Sequence, residues 1–227
     1  MISIVAIQGM SNNLATNIDA SSAFLCLPTA PATWTSIGDW TCGTGANALH
    51  VAAAYRITDG SDSPGTGFSW TFSSTSCGSQ TAADFIASVT NTVYSSVDHS
   101  APIDVVGSDS CVVNQTGGLP VSTVAVTTNV ANDLVVGIFD AANADQSLVL
   151  PVSGSDLSSV VGEDNTGFGP ANFTAYQNAK KIGVSCQSPP GNNNGECGPA
   201  GSYGPFTATQ SQTGTSIGVT LALQPGS

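Results

Sequence analysis

Apolar and polar residues alternate along most of this chain with a period of two, and no long stretch carries the 3.6-residue spacing of an amphipathic helix. Within 83–94 one face reads Phe85, Ala87, Val89, Asn91 and Val93, and the other is mostly Ser, Thr and Tyr. Ser216–Gln224 places Ile217, Val219, Leu221 and Leu223 on one face, with Gly218, Thr220, Ala222 and Gln224 opposite. Leu49, Val51, Ala53, Tyr55 and Ile57 share a face, leaving His50 and Arg56 on the other. The same alternation predicts strands at 3–8, 33–41, 67–73, 121–128, 133–140 and within 173–184. Clusters of Gly, Ser, Asp, Asn and Pro at 59–67, 115–120 and 188–205 separate them as turns and loops. Many short strands between turns predict an all-β chain, an antiparallel β-sandwich of jelly-roll or Ig-like type. One face of each sheet is expected to be wet, and here that face is rich in Ser and Thr. No shift in composition divides residues 1–227, so a single domain with long Gly/Pro/Asn-rich loops is expected.

Composition narrows the function. Three Lys and Arg stand against 15 Asp and Glu, a formal net charge of −12, and only 8% of residues are charged while 41% are hydrophobic. Three cations cannot line a basic groove, which excludes electrostatic nucleic-acid binding and attraction to anionic lipid. Disorder is excluded as well, since disordered chains are apolar-poor and highly charged. The longest apolar runs, such as Leu134–Phe139, fall far short of the roughly 20 residues that a membrane-spanning helix needs, so no membrane insertion is expected.

Six cysteines, Cys26, Cys42, Cys77, Cys111, Cys186 and Cys197, include no C-x-x-C pair, and neither His50 nor His99 lies close in sequence to one. Disulfides fit this pattern better than zinc. Cys186 and Cys197 bracket the SPPGNNNGE loop and would staple its base. The amino terminus, MISIVAIQGMSNN, has no basic segment and no small-residue cleavage site, so it does not read as a signal peptide. Disulfides without a leader suit a protein released by cell lysis, as virion proteins are, or one whose leader was removed or whose Met was added.

Candidate chemistry is sparse. Gly214-Thr215-Ser216-Ile217-Gly218 matches the G-x-S-x-G elbow of hydrolases, but a strand pattern follows where a helix is required, and no His comes after His99. Ser216 is therefore expected to open the last strand. The acidic turns Asp59-Gly60-Ser61-Asp62 and Glu163-Asp164-Asn165 offer oxygen ligands to a structural calcium. Neither completes a calcium loop, and Asp and Asn serve tight turns without any metal, so no cofactor is expected. Asp98 and Asp104 read as turn and strand-end residues rather than a glycosidase pair. Trp34 and Trp70 are expected in the core. Phe168, Asn192, Asn193, Asn194 and Tyr203 lie in Gly/Pro-rich loops and are the candidates for a recognition tip. Asn114-Gln115-Thr116 and Asn172-Phe173-Thr174 are glycosylation sequons.

Several segments carry a resemblance: PATWTSIGDW at 31–40, ALHVAAAYRITDG at 48–60, GFSWTFSS at 67–74, Tyr94-Ser95-Ser96-Val97-Asp98 with Ala101-Pro102-Ile103-Asp104, TTNVANDLVVGIF at 127–139, and the closing SIGVTLALQP. From about Thr33 to Pro225 the chain resembles a β-sandwich module of phage structural proteins and secreted bacterial surface proteins. It departs from that pattern at SSAFLCLPTAP (21–31), in its added cysteines and in the 188–205 loop. Residues 1–30 form a divergent segment that offers Ser3–Gln8 as an edge or exchanged strand. No catalytic residue follows from the resemblance, which implies an accessory, adhesive or shell role and no enzyme. The expectation is a structural subunit of an extracellular assembly, a virion decoration, head-fibre or tail component, whose partners are copies of itself and other assembly proteins. The alternative is a secreted adhesin, a carbohydrate-binding module holding a cell-surface glycan, or an extracellular filament subunit.

Overall fold

A computed structural model describes residues 2–9, 28–29, 33–43, 49–58, 71–72, 85–94, 96–142, 148–149, 159–164, 171–178 and 199–226. Among these residues every regular element is a strand. In chain order they are β1 (Ile2–Gly9), β2 (Pro28–Thr29), β3 (Thr35–Cys42), β4 (Leu49–Tyr55), β5 (Thr71–Phe72) and β6 (Phe85–Thr92). There follow β7 (Ile103–Val106), β8 (Ser110–Gln115), β9 (Pro120–Ser122), β10 (Val126–Thr127), β11 (Leu134–Ala141) and β12 (Leu148–Val149). The last are β13 (Ser159–Asp164), β14 (Ala171–Asn178), β15 (Ser202–Tyr203), β16 (Thr207–Gln210) and β17 (Gly214–Leu223).

The described part of the chain is all-β and its ladders are antiparallel. One sheet has the order β3-β4-β1-β6. A six-stranded sheet runs β13-β14-β11-β17, with β7 and β8 both on the far side of β17. Along that side Val106 lies opposite Leu221 and Cys111 opposite Ile217, so β7 and β8 act as one edge interrupted at 107–109. A smaller sheet, β12-β16-β9, and the pairs β10-β15 and β2-β5 complete the described strands.

Strand alternation explains where the core sits. Leu49, Val51 and Ala53 of β4 meet Val136 and Ile138 of β11 and Ile217, Val219, Leu221 and Leu223 of β17 in one apolar cluster. The intervening residues of β11, Val135, Phe139 and Ala141, join a second cluster with Val121, Phe206 and Ala208. Each fully buried Val, Leu, Ile or Phe stabilises by about 1.5–3 kcal/mol relative to an exposed one. Strand β11 therefore contributes to burial on both of its faces.

That double burial corrects the expectation of a wet, hydroxyl-rich face for β11 and β17, while β3 keeps Thr35, Ser36 and Thr41 exposed. All ten residues of β17 are buried, including Gly218, Thr220 and Ala222. The Thr220 hydroxyl donates to the Val124 carbonyl at 2.7 Å and lies 2.8 Å from Thr123 Oγ1, which in turn accepts from the Phe206 N–H at 3.0 Å. At Gly218 an added Cβ would run into the Ser122 carbonyl, so only glycine lets the two strands approach this closely. The small polar residues of β17 are thus packing and hydrogen-bonding partners in a dry layer. His50, expected opposite the apolar face of β4, is buried too.

Two further expectations change. Ser3–Gln8 is no edge: β1 is paired on both sides, with Val5 opposite Ala52 of β4 and Val89 of β6. Glu163 and Asp164, read as a turn, belong to β13 and pair with Phe173 and Asn172 past a bulge at 161–163. A disulfide joins Cys42 at the end of β3 to Cys111 in β8, with Cα atoms 5.4 Å apart, and ties the first sheet to the edge of the six-stranded sheet.

Candidate functional site

Four segments converge where β4, β6 and β17 end and β7 begins. They enclose a cavity of about 320 Å³. Its lining includes Pro102, Ile103 and Leu223 together with Tyr55, Arg56, Tyr94 and His99. Period-two alternation on β4 would send Tyr55 and Arg56 to opposite faces, but β4 stops at Tyr55 and both residues line the cavity. The wall at 96–103 is fixed to the end of β17. Asp98 N–H donates to the Gln224 carbonyl at 3.0 Å, Gly226 N–H to Ser96 at 2.7 Å, and Gln224 N–H to Pro102 at 3.0 Å. Ser96 takes the left-handed backbone conformation there, at φ 59°. Asp98 Oδ1 accepts from the Ser100 hydroxyl and N–H, both at 2.6 Å, and from Ala101 N–H at 3.0 Å. These donors, the Ser100 hydroxyl first, hold its carboxyl below the usual range. Asp98 is the turn residue that the sequence predicts.

A second polar cluster lies at the 128–133 turn. The Asp104 carboxylate accepts from the Asn129 N–H at 2.6 Å and from Asn129 Nδ2 at 3.2 Å. Burial alone would raise the Asp104 carboxyl, but donors from Asn129, Asp133 and Val130 hold it down. Asp133, fully buried, faces Asp104, and among the described residues no N–H donor reaches its oxygens. Burial first, then the contact with Asp104 and its charge, push the Asp133 carboxyl up to about 7. A proton on Asp133 therefore turns two opposed acceptors into one O–H···O hydrogen bond. Asp140 of β11 is buried without a hydrogen-bond partner among the described residues, and burial drives its carboxyl well above the ordinary range. Burial likewise lowers His50, against a smaller opposing pull from Asp39. Among the described residues no three His, Cys, Asp or Glu gather in a metal-binding group.

The third feature is β8, which among the described residues pairs only with β17. Val112 and Val113 are 39% and 49% exposed on this edge strand, and Asn114 has φ 53°, which ends its straight run.

Of the residues singled out in the sequence, Cys42 and Cys111 are brought together, whereas Cys26, Cys77, Cys186 and Cys197 lie outside the described residues. So do Phe168, Asn192, Asn193, Asn194, Trp70 and the Asp59–Asp62 turn. The Tyr203 ring packs against the second apolar cluster and its hydroxyl donates to the Pro199 carbonyl at 2.6 Å. Burial, followed by the Asp133 charge, raises its phenol. Asn114 is exposed on β8, and Asn172 lies on β14 opposite Asp140. Trp34 is buried as expected. Ser216 lies within β17, buried, with Oγ 3.5 Å from Gln115 Oε1, and no strand-turn-helix surrounds it. Sequence reasoning missed the end cavity and the Asp104–Asp133 contact. The one legible signal for the cavity was that Arg56 is the only arginine of a chain with three cations.

Comparison with protein-family models, curated proteins and solved structures finds no match to this chain.

Proposed function

We propose that this chain is a non-enzymatic structural subunit of an extracellular assembly, a phage virion component of the decoration, head-fibre or tail kind, built as a β-sandwich of jelly-roll or Ig-like type. The observation that carries the reading is the β7–β8 edge, which among the described residues is paired on the β17 side alone. Edge strands of free-standing domains are commonly guarded by lysine or other inward charges. Here Ile103–Gln115 contains no lysine or arginine, and Val112 and Val113 of β8 are exposed. Such an edge suits addition of a strand from a neighbouring copy. A charge-poor, hydroxyl-rich chain also loses little side-chain entropy on packing against itself. The Cys42–Cys111 bond between sheets fits an oxidising setting outside the cell.

The test is particle size across a concentration series, by light scattering and electron microscopy, for the natural chain and for Val113→Lys. Ordered oligomers or filaments that the lysine variant fails to form, at unchanged monomer stability, support the reading. A monomer at every concentration overturns it, and a monomer that selects sugars on a glycan array returns the adhesin or carbohydrate-binding alternative.

A further inference from the structure

We propose that the end cavity lined by Tyr55, Arg56, Tyr94 and His99 is a binding site for a small carboxylate with an apolar or ring-shaped body. Three observations carry this. First, the cavity is amphiphilic in the manner of ligand sites: Leu223, Pro102 and Ile103 supply apolar lining, and Arg56, His99 and Tyr55 line it beside them. Its 320 Å³ is at the small end for such sites, roughly ten water volumes. Second, the walls are built before any ligand arrives. Backbone hydrogen bonds from Asp98, Gln224 and Gly226 bind the 96–102 segment to the end of β17, and the Asp98 turn fixes the segment that bears His99. A pre-ordered site binds without the cost of ordering its loops.

Third, the charge is selective. In a chain of net charge −12 the only arginine lines this cavity. A guanidinium presents five N–H donors in a planar fork, enough to keep a protein neighbour and still grip a carboxylate. Asp98, the acid beside His99 in sequence, spends one oxygen on three donors of its own turn. The carboxylate end of the ligand belongs at Arg56 and His99, and its body against the tyrosines and Leu223. Two sources share this chemistry, aromatic acids and acidic sugars.

The full-length chain is titrated by calorimetry with benzoate and with glucuronate, each beside its uncharged counterpart, benzamide and glucose. The expected result is at least a tenfold preference for an acid over its counterpart, about 1.4 kcal/mol, lost in Arg56→Gln at an unchanged melting temperature. Binding of benzoate alone identifies the aromatic class, of glucuronate alone the acidic sugars, and of both a common carboxylate site. Should Arg56→Gln fail to fold, Arg56→Lys provides the reading, because it keeps the charge but not the fork and is expected to weaken the preference. Absence of binding by either acid, equal binding of the neutral molecules, or an undiminished preference in the folded Arg56 variant overturns the proposal. The cavity and the β8 edge lie about 20 Å apart along β17, so the site and the assembly reading fail separately.

Discussion

Replacing Asp133 by Asn should make the protein more stable at neutral pH and leave it unchanged in acid. Asp133 is fully buried against Asp104, and its carboxyl is pushed up to about 7 in the folded state, against ~3.9 in an unfolded chain. The folded protein then holds a proton that the unfolded chain releases throughout the interval between those values. Stability must fall as pH rises across it, by about 1.4 kcal/mol per pH unit, and level off above 7. The whole loss has an upper bound of about 4 kcal/mol. The Asp104 carboxyl, held low, contributes with the opposite sign but only below its ordinary range, outside this window. Asp140 pulls in the same direction as Asp133, yet it is common to both proteins and cancels in the difference. Asparagine supplies an N–H to the Asp104 carboxylate without needing a proton. Urea unfolding of both proteins at intervals from pH 4 to 8 should give a stability difference near zero at the acid end. The difference should climb to several kcal/mol in favour of Asp133→Asn by pH 8. A difference that stays flat across the range refutes a shared proton between the two acids.

Two other substitutions test the packing. The Cys42–Cys111 bond closes a 69-residue separation, for which chain entropy gives about 4 kcal/mol; the double Ser variant should lose about 2–5 kcal/mol in urea unfolding, and a loss below about 1 kcal/mol would show that the staple constrains little. Gly218→Ala should cost about 1–3 kcal/mol, because its methyl meets the backbone of Ser122 and Thr123 rather than a mobile side chain. A neutral result there would mean that β9 does not lie tight on β17.

The strands that were legible are those whose apolar residues alternate over many positions. Ala83–Tyr94 holds β6, Leu49–Ile57 holds β4, Asp133–Asp140 holds most of β11, and Ser216–Gln224 holds most of β17. Strands β8, SCVVNQ, and β16, TATQ, escaped notice because they are short and largely polar, and pairing comes to them from β17 and β9 rather than from their own pattern. Burial on both faces was also hidden. Gly, Ser and Thr look like solvent-facing residues, and only the approach of Ser122–Val124 makes them interior ones. The end cavity was illegible for a topological reason: Arg56, the 94–99 segment and Leu223 are remote in sequence and meet only because three strands finish at the same level. The buried state of Asp133 and Asp140 likewise depends on which strands cover them.

Strand β17 has a consequence for the order in which the protein can be made. It is the last described strand to leave the ribosome, yet it lies inside the six-stranded sheet, pairing with β11 on one side and with β7 and β8 on the other. Until residue 223 has emerged, those three strands have no common partner, and the apolar cluster that Ile217, Val219, Leu221 and Leu223 complete stays open. Folding of the larger sheet therefore waits for β17 and is dominated by contacts between distant parts of the chain. During that interval the growing polypeptide exposes its unpaired strands to neighbouring copies on the same message.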